Sequence, residues 1–153
     1  MYLPIKELSG DQLAQAEALR ARQVSWRTSA AMLMALFALN AGLVILTLSQ
    51  FGATFALANG INLVLAWGLF QTRSWARILA IVWETLGIAL AVAVTIRGGA
   101  TGDLLVTILL QGGILLPLAG PPHKAKNVVG ILMFVGGLSV TALALMSQLV
   151  IAR

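Results

Sequence analysis

The stretch RSWARILAIVWETLGIALAV, residues 73–92, decides the class of fold to which this chain belongs. From residue 78 to residue 96, only Glu84 and two threonines are neither apolar nor glycine. An α-helix needs about 20 consecutive, mainly apolar residues to cross the ~30 Å hydrocarbon core of a bilayer. The stretch therefore predicts a membrane-spanning helix that carries a carboxyl group near its middle.

The composition of the whole chain agrees with a membrane setting. Its 153 residues are 59% hydrophobic and 10% charged, which is more apolar surface than one small soluble core can bury. The net charge is +5, but the basic residues lie singly between apolar runs, as in membrane loops. The absence of cysteine excludes disulfides and thiolate metal sites. We therefore expect the lipid bilayer, and no nucleic acid, as a partner.

Five apolar runs follow one another along the chain. They cover residues 28–49, 51–70, 75–96, 104–119 and 128–152. Inside lipid the backbone must satisfy its own hydrogen bonds, so each run is expected to be helical, and the short connectors make consecutive helices antiparallel neighbours. The predicted fold is an all-α membrane protein, an antiparallel bundle of about five transmembrane helices. The fourth run is short and contains Gly112, Gly113 and Pro117, so four full spans remain the alternative.

The first 27 residues predict a separate N-terminal helix, cytoplasmic or interfacial, ahead of the bundle at 28–153. SGDQ, residues 9–12, has the spacing of a capping box, in which Ser9 and Gln12 bond to each other's backbone amides. Acidic residues precede basic ones along the segment, the order that complements the helix dipole. We expect the helix to lie on the membrane surface or to dock on a partner. A frayed extension of the first span is the alternative.

Orientation follows from the basic residues, because Lys and Arg in short loops are retained in the cytoplasm. With a cytoplasmic N-terminus and five spans, only Arg97 and Arg153 of the ten basic residues fall outside. The chain is thus predicted to be a multi-pass protein of a cell membrane with a cytoplasmic N-terminus, and a bacterial cytoplasmic membrane is the expected location. If the fourth run turns back without crossing, the division becomes seven to three.

Polar side chains lie near the middle of the spans. They are Asn40, Asn59, Asn62, Glu84 and Gln111. In lipid such groups turn inward and pair, because an unpaired amide or carboxyl in hydrocarbon is costly. Two interpretations follow. The groups hold the helices together, with Glu84 protonated or bonded to an amide, or they bind a proton, a cation or a cationic small molecule.

Small residues indicate where helices approach closely. Gly52, Ala56 and Gly60 recur at intervals of four, and Gly137 with Thr141 repeats this spacing in the last run. Such faces allow close contact between backbones in membranes. We assign these five residues to helix packing, with contact between copies of the chain as the alternative.

Motifs for enzyme chemistry are absent from the sequence. The single histidine, His123, has no acidic neighbour in its loop, so no metal site is predicted. No catalytic triad, phosphate-binding glycine loop or dinucleotide fingerprint occurs, and no motif identifies a cofactor. The chain is therefore not expected to be an enzyme.

AIVWETLG, residues 80–87, resembles the A-I-x-x-E-x-x-G pattern in the first helix of small multidrug resistance transporters. In that family the membrane glutamate exchanges protons for cationic drugs, a role that the resemblance implies for Glu84. The match covers eight residues. The family places this helix first, with three spans after it, whereas here two predicted spans precede it and two follow.

The sequence as a whole favours a non-catalytic accessory or scaffolding subunit of a larger membrane complex. The loops are too short to form a soluble active site, the N-terminal helix offers a docking element, and the spans show none of the internal repetition found in many transporters. Proton-coupled transport of a small molecule or cation through Glu84 is the alternative.

Overall fold

The computed structural model describes residues 9–46, 53–98 and 101–151, and all regular structure within them is helical. The helices are α1 (Gly10–Leu46), α2 (Ala53–Phe70), α3 (Ser74–Ile96), α4 (Thr101–Leu118) and α5 (Lys124–Ile151). The prediction of an all-α fold is confirmed for this part of the chain. Helices α4 and α5 begin a few residues before their apolar runs, because a helix continues past the lipid boundary into polar residues that hydropathy does not count.

The described residues contain three helical segments with the length and apolar character needed to cross a membrane. These are Ser74–Ile96, Thr101–Leu118 and Lys124–Ala144. Leu57–Phe70, which lies within α2, is a shorter apolar segment. Many large apolar side chains on these helices are exposed, as expected of surfaces that face lipid. The chain is therefore a helical membrane protein, and the count of five full spans stays a prediction.

Helices α1 to α4 form a closed ring. Contacts join α1 to α2, α2 to α3, α3 to α4 and α4 back to α1, while α5 packs outside the ring against α4 and α1. The ring closes through a buried hydrogen bond in which the Ser29 hydroxyl donates to the Ile114 carbonyl, 2.9 Å away. The core of the ring is apolar. Its most buried residues include Leu33, Leu65, Leu69, Ala80, Ile114 and Leu118.

Glycines bring the backbones of α4 and α5 into direct contact. A Cβ atom at Gly113 would lie 2.8 Å from the Gly130 carbonyl oxygen, and one at Gly130 would lie 2.7 Å from the Gly113 oxygen. Gly137 continues the same line, since a Cβ there would lie 2.9 Å from the side chain of Leu110. Because any side chain at these positions would push the helices apart, the α4–α5 pair depends on glycine.

The N-terminal segment is continuous with the first apolar run. Both hydrogen bonds of the predicted capping box are present, with Ser9 N donating to Gln12 Oε1 (3.1 Å) and Gln12 N donating to Ser9 Oγ (3.4 Å). The helix then passes the predicted boundary at 27/28 without a break, since no glycine or proline lies between residues 11 and 41. Every residue from 9 to 24 is exposed, and burial begins at Ser25. We call residues 10–24 the N-terminal arm.

We predict that Gly130→Ala lowers the stability of the folded protein by about 1–3 kcal/mol, the usual cost of forcing extra volume into a packed contact. Gly60→Ala is the matched control, because nothing lies within 4 Å of a Cβ atom at Gly60. Thermal unfolding of both variants in the same detergent measures the difference. Equal midpoints would show that the α4–α5 contact is looser than described.

Candidate functional site

A cavity of about 370 Å³ lies among helices α1, α2, α3 and α4, at the level of the polar side chains predicted to be central. Its lining residues are Leu36, Asn40, Ala58, Asn62, Trp83, Leu86, Gly87, Leu90, Thr107, Leu110 and Gln111. Three of the five predicted polar site residues, Asn40, Asn62 and Gln111, therefore share one cavity. Its walls are otherwise largely apolar, as is usual for sites that hold small molecules.

Two hydrogen bonds between helices involve most of the side-chain amides around this cavity. Asn40 Nδ2 on α1 donates to Asn59 Oδ1 on α2, 3.1 Å away. Trp83 Nε1 on α3 donates to Asn62 Oδ1, also on α2, 2.9 Å away. Asn59 and Asn62 are both buried. Helix α2 thus supplies the acceptors that hold α1 and α3, which is the arrangement expected of polar groups that link helices within lipid.

Gln111 reaches the cavity from α4 because Gly87 leaves room for it on α3. A Cβ atom at Gly87 would lie 2.7 Å from Cδ of the Gln111 side chain. Gln111 Oε1 is buried and accepts no hydrogen bond from the described residues. A buried acceptor without a donor costs free energy, so this oxygen is a point at which a ligand donor would be stabilising.

Glu84 lies inside the bundle and outside the cavity lining. It continues a buried stripe of α3 that also contains Ala76 and Ala80, and it is only 1% exposed. Neither carboxyl oxygen has a hydrogen-bond partner among the described residues, so the expected bonds to Asn62 or Gln111 are absent there. Asn62 instead accepts from Trp83. A buried carboxyl without a partner is costly, and a donor or a cation that reached it would be held strongly.

Sequence reasoning missed two cavity residues with hydrogen-bonding side chains, Trp83 and Thr107, besides the apolar residues and Gly87. Trp83 lies next to Glu84 in the sequence, and the need of a buried indole N–H for an acceptor is a signal that could have pointed to it. Thr107 gave no such signal, because its hydroxyl donates to the carbonyl of Asp103 in its own helix, 2.8 Å away.

The residues assigned to helix packing have different environments. Gly52 lies outside the described residues, and so does the side chain of Ala56. Gly60 is exposed and has open space around it. Gly137 is buried against α4, whereas the hydroxyl of Thr141 donates to the Gly137 carbonyl of its own helix, 2.9 Å away. Of the five, Gly137 alone has a described contact with another helix.

Side chains that could hold a metal ion do not gather in the described part of the chain. No group of three His, Asp or Glu residues occurs there. Comparisons with models of known protein families, with curated proteins and with solved structures find nothing that matches this chain.

We predict that Trp83→Phe destabilises the bundle by about 0.6 kcal/mol, a typical value for one hydrogen bond between membrane helices. The change removes the N–H group that binds Asn62 and keeps an aromatic ring in the cavity wall. Trp67→Phe is the control, because Trp67 is 67% exposed. Thermal unfolding in detergent should separate the two variants. A larger loss in Trp67→Phe would contradict the assigned role of the indole N–H.

Proposed function

We propose that this protein is a non-catalytic accessory or scaffolding subunit of a larger membrane complex. The observation that carries the proposal is the N-terminal arm, a helix of about 22 Å, at 1.5 Å per residue, whose residues are all exposed. Isolated helices of this length are marginal in water and usually gain stability by packing an apolar face against something else. A second membrane protein subunit that covers the arm would supply that stability.

The apolar residues of the arm suggest the face that docks. Leu13 and Leu19 are 37% and 58% exposed, and with Ala16 and Val24 they form a loose stripe along one side. On the opposite side lie Asp11, Ala14, Ala18 and Arg22. The proposal therefore assigns the partner to the leucine side of the arm.

The central site also supports a structural role. Asn40, Asn59, Asn62 and Trp83 use their hydrogen-bonding groups on each other, as described for helix-linking residues. The Glu84 carboxyl is buried, and Glu84 does not belong to the residues that line the cavity. In this proposal the polar layer fixes the relative positions of α1, α2 and α3, so that the arm projects in one direction.

The proposed location is a cell membrane, in this proposal a bacterial cytoplasmic membrane, with the N-terminal arm in the cytoplasm. The support comes from the basic residues: with five spans, eight of the ten lie on the same side of the membrane as the N-terminus. The partner would then meet the arm on the cytoplasmic surface. A second copy of this chain in the same position is the main competing partner.

We predict that replacing Leu13 and Leu19 together by Glu removes the partner from the complex, because two carboxylates would have to be desolvated at the contact. The matched control replaces Ala14 and Ala18 by Glu, which adds the same charge on the opposite side of the arm. The measurement is the native mass, and the stoichiometry of co-purifying chains, after extraction in mild detergent.

The proposal expects one defined complex for the natural protein and the control variant, and a smaller particle for the leucine variant. A complex that contains only copies of this chain would replace the partner by a homo-oligomer. A free monomer for the natural protein would remove the main support for the proposal.

Proton-coupled transport of a small molecule or cation is the second candidate function. Two observations favour it, the cavity itself and the buried groups beside it, Glu84 and Gln111, that lack partners. Ionisable groups deep in a membrane often carry protons or bind substrates. Transport would require a second conformation, in which the Glu84 carboxyl is exposed to the cavity.

The variant Glu84→Gln tests this candidate. Gln keeps the size and hydrogen-bonding capacity of the side chain but cannot ionise. If the protein is a transporter, the pH-gradient-driven uptake of an organic cation into proteoliposomes should fall to background in Glu84→Gln. Adding Gln111→Glu to this variant places a carboxyl at the cavity and tests whether uptake returns. If neither the natural protein nor the variant takes up cations, and both assemble normally, the transport candidate is wrong.

A further inference from the structure

We propose that a cleft at the base of the N-terminal arm binds a phosphoryl group. The cleft has a volume of about 300 Å³. It is lined by residues of α1, by Arg77 of α3, and by the end of α4 and the loop that follows it. Its lining residues that carry the argument are Arg22, Ser25, Trp26, Arg77 and Gly120. None of the residues that line it is acidic. The site is distinct from the central cavity and does not depend on the proposed docking of the arm.

Arg77 is held in place before any ligand arrives. Its Nε and Nη2 atoms donate to the Leu118 carbonyl at 3.1 and 2.9 Å, and the guanidinium carbon lies 5.9 Å from the centre of the Trp26 ring. These bonds leave both N–H groups of Nη1 without a partner among the described residues. A guanidinium that is fixed by carbonyl groups and an aromatic ring loses little freedom when it binds an oxyanion.

Ser25 supplies the second, independent observation. It is 1% exposed, it lines the cleft, and its hydroxyl has no hydrogen-bond partner among the described residues. A buried hydroxyl without a partner is costly, so it marks a place where an acceptor is expected. A phosphoryl oxygen is such an acceptor, and the hydroxyl could donate to it while the guanidinium groups neutralise its charge.

Further positive charge surrounds the cleft. Arg22 also lines a neighbouring cleft together with Arg73. On the other side, Lys126 Nζ donates to the Ala119 carbonyl at 2.9 Å and lies close to Gly120. The local field therefore favours an anion, and charge-assisted bonds from Arg are the strongest that a phosphate receives from side chains.

The phosphoryl group can come from an anionic lipid headgroup or from free phosphate. Trp26, at the wall of the cleft, has the amphipathic side chain that favours the membrane–water boundary, where lipid phosphates also lie. Basic pockets between membrane helices recognise headgroups in this way. A short-chain phosphatidylglycerol, a short-chain phosphatidylcholine and inorganic phosphate are the three probes that separate these sources.

Native mass spectrometry of the full chain in detergent should detect one tightly bound phosphatidylglycerol, with phosphatidylcholine held more weakly. Arg22→Gln should weaken this binding about tenfold, as expected for the loss of one charge-assisted hydrogen bond. Arg27→Gln removes the same charge five residues further along α1 and should leave the affinity unchanged, because Arg27 does not line the cleft.

Ser25→Ala changes no charge and tests the hydroxyl directly. Without ligand it should unfold at the same temperature as the natural protein or a higher one, because it removes a polar group that lacks a partner. With phosphatidylglycerol it should bind several-fold more weakly. This opposite response of stability and affinity is not expected of a residue that serves only packing.

If inorganic phosphate displaces the lipid and itself binds more weakly to Arg22→Gln, the result would support a phosphoryl site in the cleft and would identify free phosphate as its ligand. Equal binding of phosphatidylcholine and phosphatidylglycerol would overturn the anionic headgroup as the source, because both lipids carry a phosphoryl group and differ in the net charge of the headgroup. Equal losses in Arg22→Gln and Arg27→Gln would overturn the proposal, since they would reflect net charge alone. If Ser25→Ala bound phosphatidylglycerol as tightly as the natural protein does, the cleft would not be the binding site.

Discussion

The arrangement of helices α1 to α4 depends on a few hydrogen bonds that polar side chains make from one helix to another within an apolar bundle. Asn40 binds Asn59, Trp83 binds Asn62, and Ser29 binds the carbonyl of Ile114. Apolar packing alone distinguishes poorly between rotations of a helix in lipid, because lipid is as apolar as the packed face. These few hydrogen bonds therefore favour particular rotations of α1 to α4, in which the bonded side chains face inward. The cavity and the buried position of Glu84 are consistent with these rotations.

The sequence predicted the elements of the fold well and their rotations poorly. Runs of apolar residues predicted the described ends of α2 to α5 within a few residues, since length and hydropathy respond to the same lipid boundary, whereas α1 begins 18 residues before the first run. The depth of Asn40, Asn62 and Gln111 correctly brought them to one level. Depth, however, does not specify direction, so Glu84 was grouped with the cavity although its side chain lies in the core. The Trp83 partner of Asn62 was missed for the same reason.

Spacing of small residues had less predictive value than expected. Gly60 satisfied the pattern and lies in open space, whereas Gly113 and Gly130, which touch backbone to backbone, belong to no predicted motif. A glycine is needed where two helices cross closely, and the crossing point depends on the partner helix. The sequence of one helix alone does not specify that point.

The N-terminal arm was predictable in part. Its cap was readable because both of its residues lie within one turn, while its continuity with the first apolar run followed from the absence of any residue that would break the helix.

The order of the hydrogen bonds has a consequence for synthesis of the chain. The Asn40–Asn59 bond needs only the first two helices, the Asn62–Trp83 bond needs the third, and the Ser29–Ile114 bond needs the fourth. The second, third and fourth helices thus each meet a polar partner on a helix already made. The fifth adds to a finished ring through a glycine contact that requires no polar group. The bundle can therefore assemble in the direction of translation, with no early helix waiting for the end of the chain.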